Sequence, residues 1–235
     1  MAMRVVHCVK RSLRRIAGRR NNVSILALTS PHSPVPDPGE SWVRDPVALQ
    51  AVPALVDRFV EELASHSVDY WVGVFGYVSP RKNLHLIAEA ITPLPGVGLV
   101  LAGTVSDEAE KLARPWLETL MSEGRVYVHR GPLASDMFDS LLSSVDCVVA
   151  AHSNDGPSGV VARAAVAGKV VVLAGAPTLR REAIALGPQA FWAELTVCGL
   201  RMAVAEARDE PRPFTPPVGG VEHFVSRLLG PPTSP

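Results

Sequence analysis

From Tyr70 onward the sequence repeats one pattern: a short, wholly apolar run, a polar loop, then a stretch with helical spacing. The apolar runs are Trp71 to Phe75, Val97 to Ala102, Val126 to His129, Val145 to Ala151 and Lys169 to Ala174. The segments that follow them, residues 83–91, 106–122, 135–143, 158–167 and 178–186, predict helices. Strands that are apolar throughout are buried on both faces. Strands that alternate with helices form a parallel sheet covered on each side. The pattern therefore predicts an α/β, Rossmann-like domain from about residue 68 to the end of the chain.

Composition narrows the functional classes. The chain has 235 residues, and 47% are hydrophobic, enough for a sizeable core. Lys and Arg number 23 and so do Asp and Glu, which argues against a nucleic-acid binder. No run reaches the ~18 apolar residues of a membrane span. Cys8, Cys147 and Cys198 form neither a metal spacing nor a disulfide framework, so a reducing cytoplasm is expected. Cys147 and Cys198 read as small core residues. The histidines form no paired-ligand spacing, and no P-loop, G-x-S-x-G elbow or G-x-G-x-x-G fingerprint occurs. No metal or cofactor is expected.

The flanks differ from this repeat. The first 20 residues hold seven basic residues and no acid, with Val5, Val9, Leu13 and Ile16 interleaved. A secretory signal would place its basic residues before an apolar core, so this is not one. The spacing fits a helix, either packed on its own domain or lying on an anionic membrane surface. Val23 to Leu28 predicts a strand, and residues 29–40, with four prolines, predict a loop. Trp42 to Val47 reads as a tight polar turn, and residues 52–64 as a helix. Beyond the repeat, residues 196–208 read as a helix, 211–220 as a linker, and Val221 to Leu229 as a short closing helix.

Open parallel sheets bind ligands beyond the carboxyl ends of their strands, so chemistry is sought in those loops. After the first strand comes Gly76-Tyr77-Val78-Ser79-Pro80-Arg81-Lys82-Asn83, with two cations before a helix start. Loop cations beside a helix N-terminus suit an anion such as a diphosphate. After the second strand, Gly103 permits close backbone approach to a ligand, or makes a simple turn. The fourth strand ends in His152-Ser153-Asn154-Asp155-Gly156-Pro157-Ser158-Gly159, the most polar of these loops. Ser158 is a good helix cap, and free N–H groups beside it suit a phosphate. Arg163, one turn into that helix, faces either the cleft or a neighbouring helix.

Taken together, these stretches resemble the family 4 glycosyltransferases, a retaining group with the GT-B fold. Val74 to Leu84 resembles the family's G-R-x-x-x-x-K-N/G opening. Leu99 to Thr104 resembles its L-x-G strand, and Val126 to Gly131 its V-x-F-x-G strand. Ser144 to Val149 resembles its A-D-V strand, and Asp155 to Lys169 its E-G-F-G-x-x-x-x-E-A-M-A-x-G segment. The resemblance implies that this is the domain that binds the nucleotide-sugar donor. Lys82 would touch the donor diphosphate, with Gly76, Arg81, Gly103 and His152 around it. Ser158 and Gly159 would offer backbone N–H groups. Asp155 would fall on the acid that meets the donor sugar, and is the catalytic candidate. Arg163 would fall on the acid that grips the nucleotide ribose.

Three departures stand out. Asp155 is one methylene shorter than the family's glutamate. Arg163 is a cation, and a guanidinium accepts no hydrogen bonds. Tyr77 stands where the family has an arginine, so one of two cations that offset developing diphosphate charge is missing. Only about 67 residues precede the donor-type domain, too few for an acceptor domain of ~100 or more. Residues 1–67 then read as a remnant of an acceptor-type domain plus a Pro-rich linker. On this reading the chain is a natural half, the product of a mis-set start, or a subunit of a split transferase. The expectation is a glycosyltransferase-like protein of the hexosyltransferase type that transfers or binds a sugar from a nucleotide sugar with retention. Its partner would be an acceptor domain or a second copy of itself. The alternatives are a non-catalytic GT-B relative acting as a binding or partner subunit, and an epimerase of the same architecture using His152 and Asp155.

Overall fold

The structure is a computed structural model that describes residues 27–29, 42–156, 158–210 and 221–229. Two short strands, β1 (Ala27–Thr29) and β2 (Trp42–Arg44), pair in parallel with Ala27 opposite Trp42. Trp42 to Val47 reads as a tight turn in the sequence, whereas Trp42–Arg44 is a strand. The correction comes from tertiary pairing, because three residues carry too little pattern to announce a strand without their partner. The basic N-terminal segment and the linker at 211–220 lie outside the described residues.

Helix α1 (Pro53–Ala64) follows. The main sheet is then built from β3 (Tyr70–Phe75), β4 (Val97–Gly103), β5 (Val126–Arg130), β6 (Cys147–His152), β7 (Val170–Gly175) and β8 (Ala190–Ala193). Its helices are α2 (Leu84–Ile91), α3 (Asp107–Ser122), α4 (Ser135–Ser144), α5 (Gly159–Val166), α6 (Pro177–Leu186) and α7 (Val197–Asp209); α8 (Val221–Leu229) lies beside β2. All neighbouring strands of the main sheet run parallel, in the order β5-β4-β3-β6-β7-β8. The fold is the α/β, Rossmann-like sheet that the alternation predicts.

Alternate side chains of each strand feed opposite cores. Val72 and Val74 of β3 join a core closed by α2, α3 and α7. Trp71 and Phe75 join a second core closed by α1, α4, α5 and α6. Phe59 and Leu63 of α1 belong to this second core, so its packing reaches back across residue 68. The N–H groups of Gln50 and Val52, just before α1, bond Asp139 Oδ2 and Ser140 Oγ of α4 at 2.8 and 2.9 Å. Helix α3 starts as its sequence predicts. Ser106 caps Ala109 N–H, and Asp107, Glu108 and Glu110 sit at the positive end of the helix dipole.

Two readings change here. Strand β8 has no counterpart in the sequence reading, because Ala-Phe-Trp-Ala is too short to signal a strand; the free edge of β7 makes it one. Cys147 is fully buried as expected, but Cys198 is exposed. The buried stripe of α7 is Leu200, Ala203, Val204 and Ala207, and Cys198 falls off it.

Candidate functional site at the switch point of the sheet

The strand order reverses direction between β3 and β6. From β3 the chain moves outward to β4 on one side, while β6 lies on the other. In such sheets the loops after the two strands diverge and leave a crevice, the usual ligand position. Here those are the loop from Gly76 to Asn83 and the loop from His152 to Ser158.

Asn83 joins the two loops. It stands at φ 52 in the left-handed region, where asparagine is among the few non-glycine residues tolerated. Its buried Nδ2 donates to Ala151 O at 2.7 Å, Ser153 Oγ at 2.9 Å and Arg81 O at 3.1 Å. The Arg81 carbonyl also accepts from Ser153 N–H at 3.0 Å. Pro80–Lys82 forms one 3-10 turn between these anchors. The turn holds Arg81 exposed and Lys82 half-buried at the end of β6. Burial, then the neighbouring Arg81 charge, lowers the Lys82 pKa.

His152, the last residue of β6, is 7% exposed. Burial lowers its pKa to about 4, helped by Lys82 and Arg81, so its imidazole is neutral near pH 7. Its Nε2 is buried with no hydrogen-bond partner among the described residues. Lys82 and Arg81 thus set two positive charges beside a neutral His152.

The glycines serve chain crossings. Gly103 ends β4 at φ +126, where a Cβ would collide with the Gly76 carbonyl. Its own carbonyl accepts from Gly131 N–H at 3.0 Å. At Gly159, the first residue of α5, a Cβ would meet open space.

Ser158 Oγ caps α5 by accepting from Val161 N–H at 3.4 Å. Glu182 of α6 is buried, and its Oε2 has no hydrogen-bond partner among the described residues. Asp155 is turned to α6, where its Oδ1 accepts from Thr178 N–H at 3.0 Å. Thr178 Oγ1 accepts from Gly156 N–H at 3.1 Å. Asp155 is exposed, and its hydrogen bonds to Thr178 hold its pKa below the ordinary value.

Arg163 points to α4. Its Nη1 lies 2.6 and 2.7 Å from the two oxygens of Asp139, whose side chain is fully buried. The guanidinium also sits 5.7 Å over the Phe138 ring. The structure therefore gathers Lys82, Arg81, His152, Gly76 and Gly103 at the crevice and leaves Gly159 open at its edge. It commits the Ser158 hydroxyl, Asp155 and Arg163 to contacts within the chain. Asn83, Asp139, Thr178 and Glu182 were not among the predicted site residues. A signal existed for Asn83, as a left-handed-tolerant residue straight after two loop cations. For Glu182 there was none, since an acid beside Arg180 and Arg181 reads as a solvated helix face.

Among the described residues no group of three His, Cys, Asp or Glu side chains is placed to hold a metal ion. Among them, too, no helix is long and apolar enough to cross a membrane.

A six-stranded parallel sheet of this order, with its crevice beyond β3 and β6, is the fold of a GT-B glycosyltransferase domain, and solved structures of that class match it. One is HepE of Anabaena in complex with UDP and glucose: 19% identity over 72% of this chain and 48% of that one, TM-score 0.57. A second is the C-terminal domain of the glycosyl transferase group 1 family protein LpcC of Francisella tularensis. Its identity is 12% over 70% of this chain and 89% of that one, with a TM-score of 0.57. Sucrose-phosphate synthase of Thermosynechococcus elongatus matches at 17% identity over 74% of this chain and 45% of that one, TM-score 0.56. These likenesses show the fold, and the chain spans about half the length of HepE. No protein-family model and no curated relative matches the sequence.

Proposed function

We propose that the chain binds a nucleotide sugar in the crevice beyond β3 and β6, as the donor-binding half of a retaining, family 4-type glycosyltransferase. The observation that carries this reading is the group formed by Lys82, Arg81 and neutral His152, fixed by Asn83 at the switch point of the sheet. In glycosyl transfer the bond from the sugar to the diphosphate breaks, and negative charge grows on the leaving diphosphate. Preorganised cations and free N–H groups stabilise such charge at no reorganisation cost. Lys82 and Arg81 would supply the cations, and Gly159 an N–H at the pole of α5. His152 Nε2 would meet a ligand oxygen, and Asp155 would orient the sugar. The UDP complexes of HepE make UDP sugars the first donors to test.

In this proposal residues 1–67 belong to an acceptor-type portion and residues 68–235 to the donor domain. An acceptor domain, or a second copy of the chain, completes the enzyme. The protein works in the cytoplasm, with the basic N-terminal segment able to rest on a membrane surface. A monodisperse monomer by light scattering that turns over unaided would reject the need for a partner.

The test is calorimetric titration with UDP, UDP-glucose and their GDP counterparts, repeated with Lys82→Ala. Binding that weakens at least tenfold in the variant supports the site. Equal binding by both proteins places the ligand elsewhere. A second reading, binding without turnover, is favoured by one observation: Arg163 is locked to Asp139, so no acid stands at its position. Nucleotide affinity without release of UDP from UDP-glucose, with or without an acceptor domain, would decide for it.

A further inference from the structure

His152 closes β6, still in register with Gly175 of β7, and alternation sets its side of the sheet. Val148 and Ala150 face the core under α4 and α5, so His152, two residues on, falls on the same side. Its backbone is fixed. The His152 carbonyl accepts from Ala176 N–H at 2.9 Å, and the next N–H, from Ser153, bonds Arg81 O at 3.0 Å. The side chain has no such anchor. The residue is 7% exposed, and its Nε2 is buried with no hydrogen-bond partner among the described residues. A Cβ at Gly159, where α5 begins on that side, would meet open space. A buried nitrogen without a partner costs stability unless something outside the chain pairs with it.

We infer that His152 is a specificity-determining residue for the transferred sugar, its Nε2 pairing with one sugar hydroxyl. The inference rests on the donor-site reading above. A nucleotide sugar offers two kinds of oxygen to the crevice, phosphate and hydroxyl. Charge separates them. Lys82 and Arg81 carry the positive charge that a diphosphate needs, and they stand on the neighbouring turn, Arg81 exposed and Lys82 half-buried. His152 is more buried than either, and neutral near pH 7. Neutral imidazole has one N–H and one bare nitrogen. A hydroxyl both donates and accepts, so it fits Nε2 in either tautomer. A phosphate oxyanion only accepts, so it fits the N–H form alone. A buried polar atom paired with a ligand hydroxyl also rejects a ligand that lacks one, because the atom is then left unpaired.

The test compares UDP-glucose with UDP, which share the diphosphate and differ by the sugar. In calorimetric titration His152→Leu should weaken UDP-glucose roughly tenfold and UDP by less than about twofold. His152→Gln carries an amide nitrogen to the reach of Nε2 and should recover most of the loss. Without ligand, His152→Leu should melt no lower than the native protein, since it removes no bond within the chain. Equal weakening of both ligands in His152→Leu would assign His152 to the phosphates; it would overturn the inference and leave the donor site standing. Unchanged affinity for both ligands, or equal losses in His152→Leu and His152→Gln, would also overturn it. A native protein that binds neither UDP nor UDP-glucose would overturn the donor site as well. Nitrogen NMR of histidine-labelled native protein gives a check that needs no folded Leu variant. The imidazole signal missing in His152→Gln should move farther with UDP-glucose than with UDP, and equal movement with both would refute the proposal.

Discussion

Arg163 and Asp139 face each other from α5 and α4, one guanidinium nitrogen lying 2.6 and 2.7 Å from the two carboxylate oxygens. The Arg163 side chain is 32% exposed and that of Asp139 is fully buried. Asp139 also accepts the Gln50 N–H at 2.8 Å, which ties the segment before α1 to the same point.

The two partners should respond unequally to removal. Arg163→Met strands a carboxylate with no water around it, which costs about 3–5 kcal/mol. Asp139→Asn strands a guanidinium that can turn to solvent and keeps an acceptor for Gln50, so a loss of about 1–2 kcal/mol is expected. Urea unfolding of the two variants checks the order. Equal losses would show that the burial of Asp139 is not what sets the cost.

Asn83 makes a second prediction at the crevice. Asn83→Ala removes three hydrogen bonds and forces alanine into the left-handed region, at a cost of about 3 kcal/mol in all. Asn83→Gly relieves the backbone share and should recover about 1 kcal/mol of it. Both variants should bind UDP-glucose more weakly than the native protein, since both release Lys82 and Arg81 from the end of β6. Melting temperatures and calorimetry separate the two effects.

Asp155 has a structural duty that its proposed role in orienting a sugar does not describe. It caps α6 through Thr178 N–H. Asp155→Ala should therefore destabilise the protein by about 1 kcal/mol even without ligand. Asp155→Asn keeps an acceptor and should melt close to the native temperature. Any loss of ligand affinity or turnover in Asp155→Asn then reports the charge rather than the fold.

His152 and Glu182 should give opposite pH dependences. The folded His152 pKa is about 4 against 6.5 in an unfolded chain. Its contribution to stability is present above pH 6.5 and is lost as the pH falls toward 4. The folded Glu182 pKa is about 7 against 4.5. Its contribution is present below pH 4.5 and is lost as the pH rises through 7. Each shift is worth roughly 3 kcal/mol, so between pH 4.5 and 6.5 the two slopes nearly cancel. Glu182→Gln should expose the His152 slope: relative to the native protein, its stability should gain about 2–3 kcal/mol from pH 4.5 to 6.5. Parallel stability profiles for the two proteins would contradict the burial of Glu182.

Much of the fold was legible because burial leaves a mark on sequence. Val72, Val74, Leu99, Leu101, Val148 and Val172 sit in runs with no polar interruption, the mark of strands covered on both faces. Strands shorter than that, such as Trp42–Arg44 and Ala190–Ala193, left no such mark, because a neighbouring edge makes them strands. Cys198 shows the limit from the other side. Its residue type says core, but its angle on α7 turns it to solvent.

Five of the six strands of the main sheet, the helices over them and the loops where chemistry can gather are legible in the sequence. Those follow from local periodicity and turn residues, which neighbouring positions in the chain record. Only the tertiary structure decided what the polar side chains in those loops touch. Arg163 found Asp139, 24 residues away; Asp155 found Thr178, 23 residues on; Asn83 found Ala151, 68 residues on. Such pairings depend on which elements the strand order makes neighbours, and strand order is a property of the whole packed sheet.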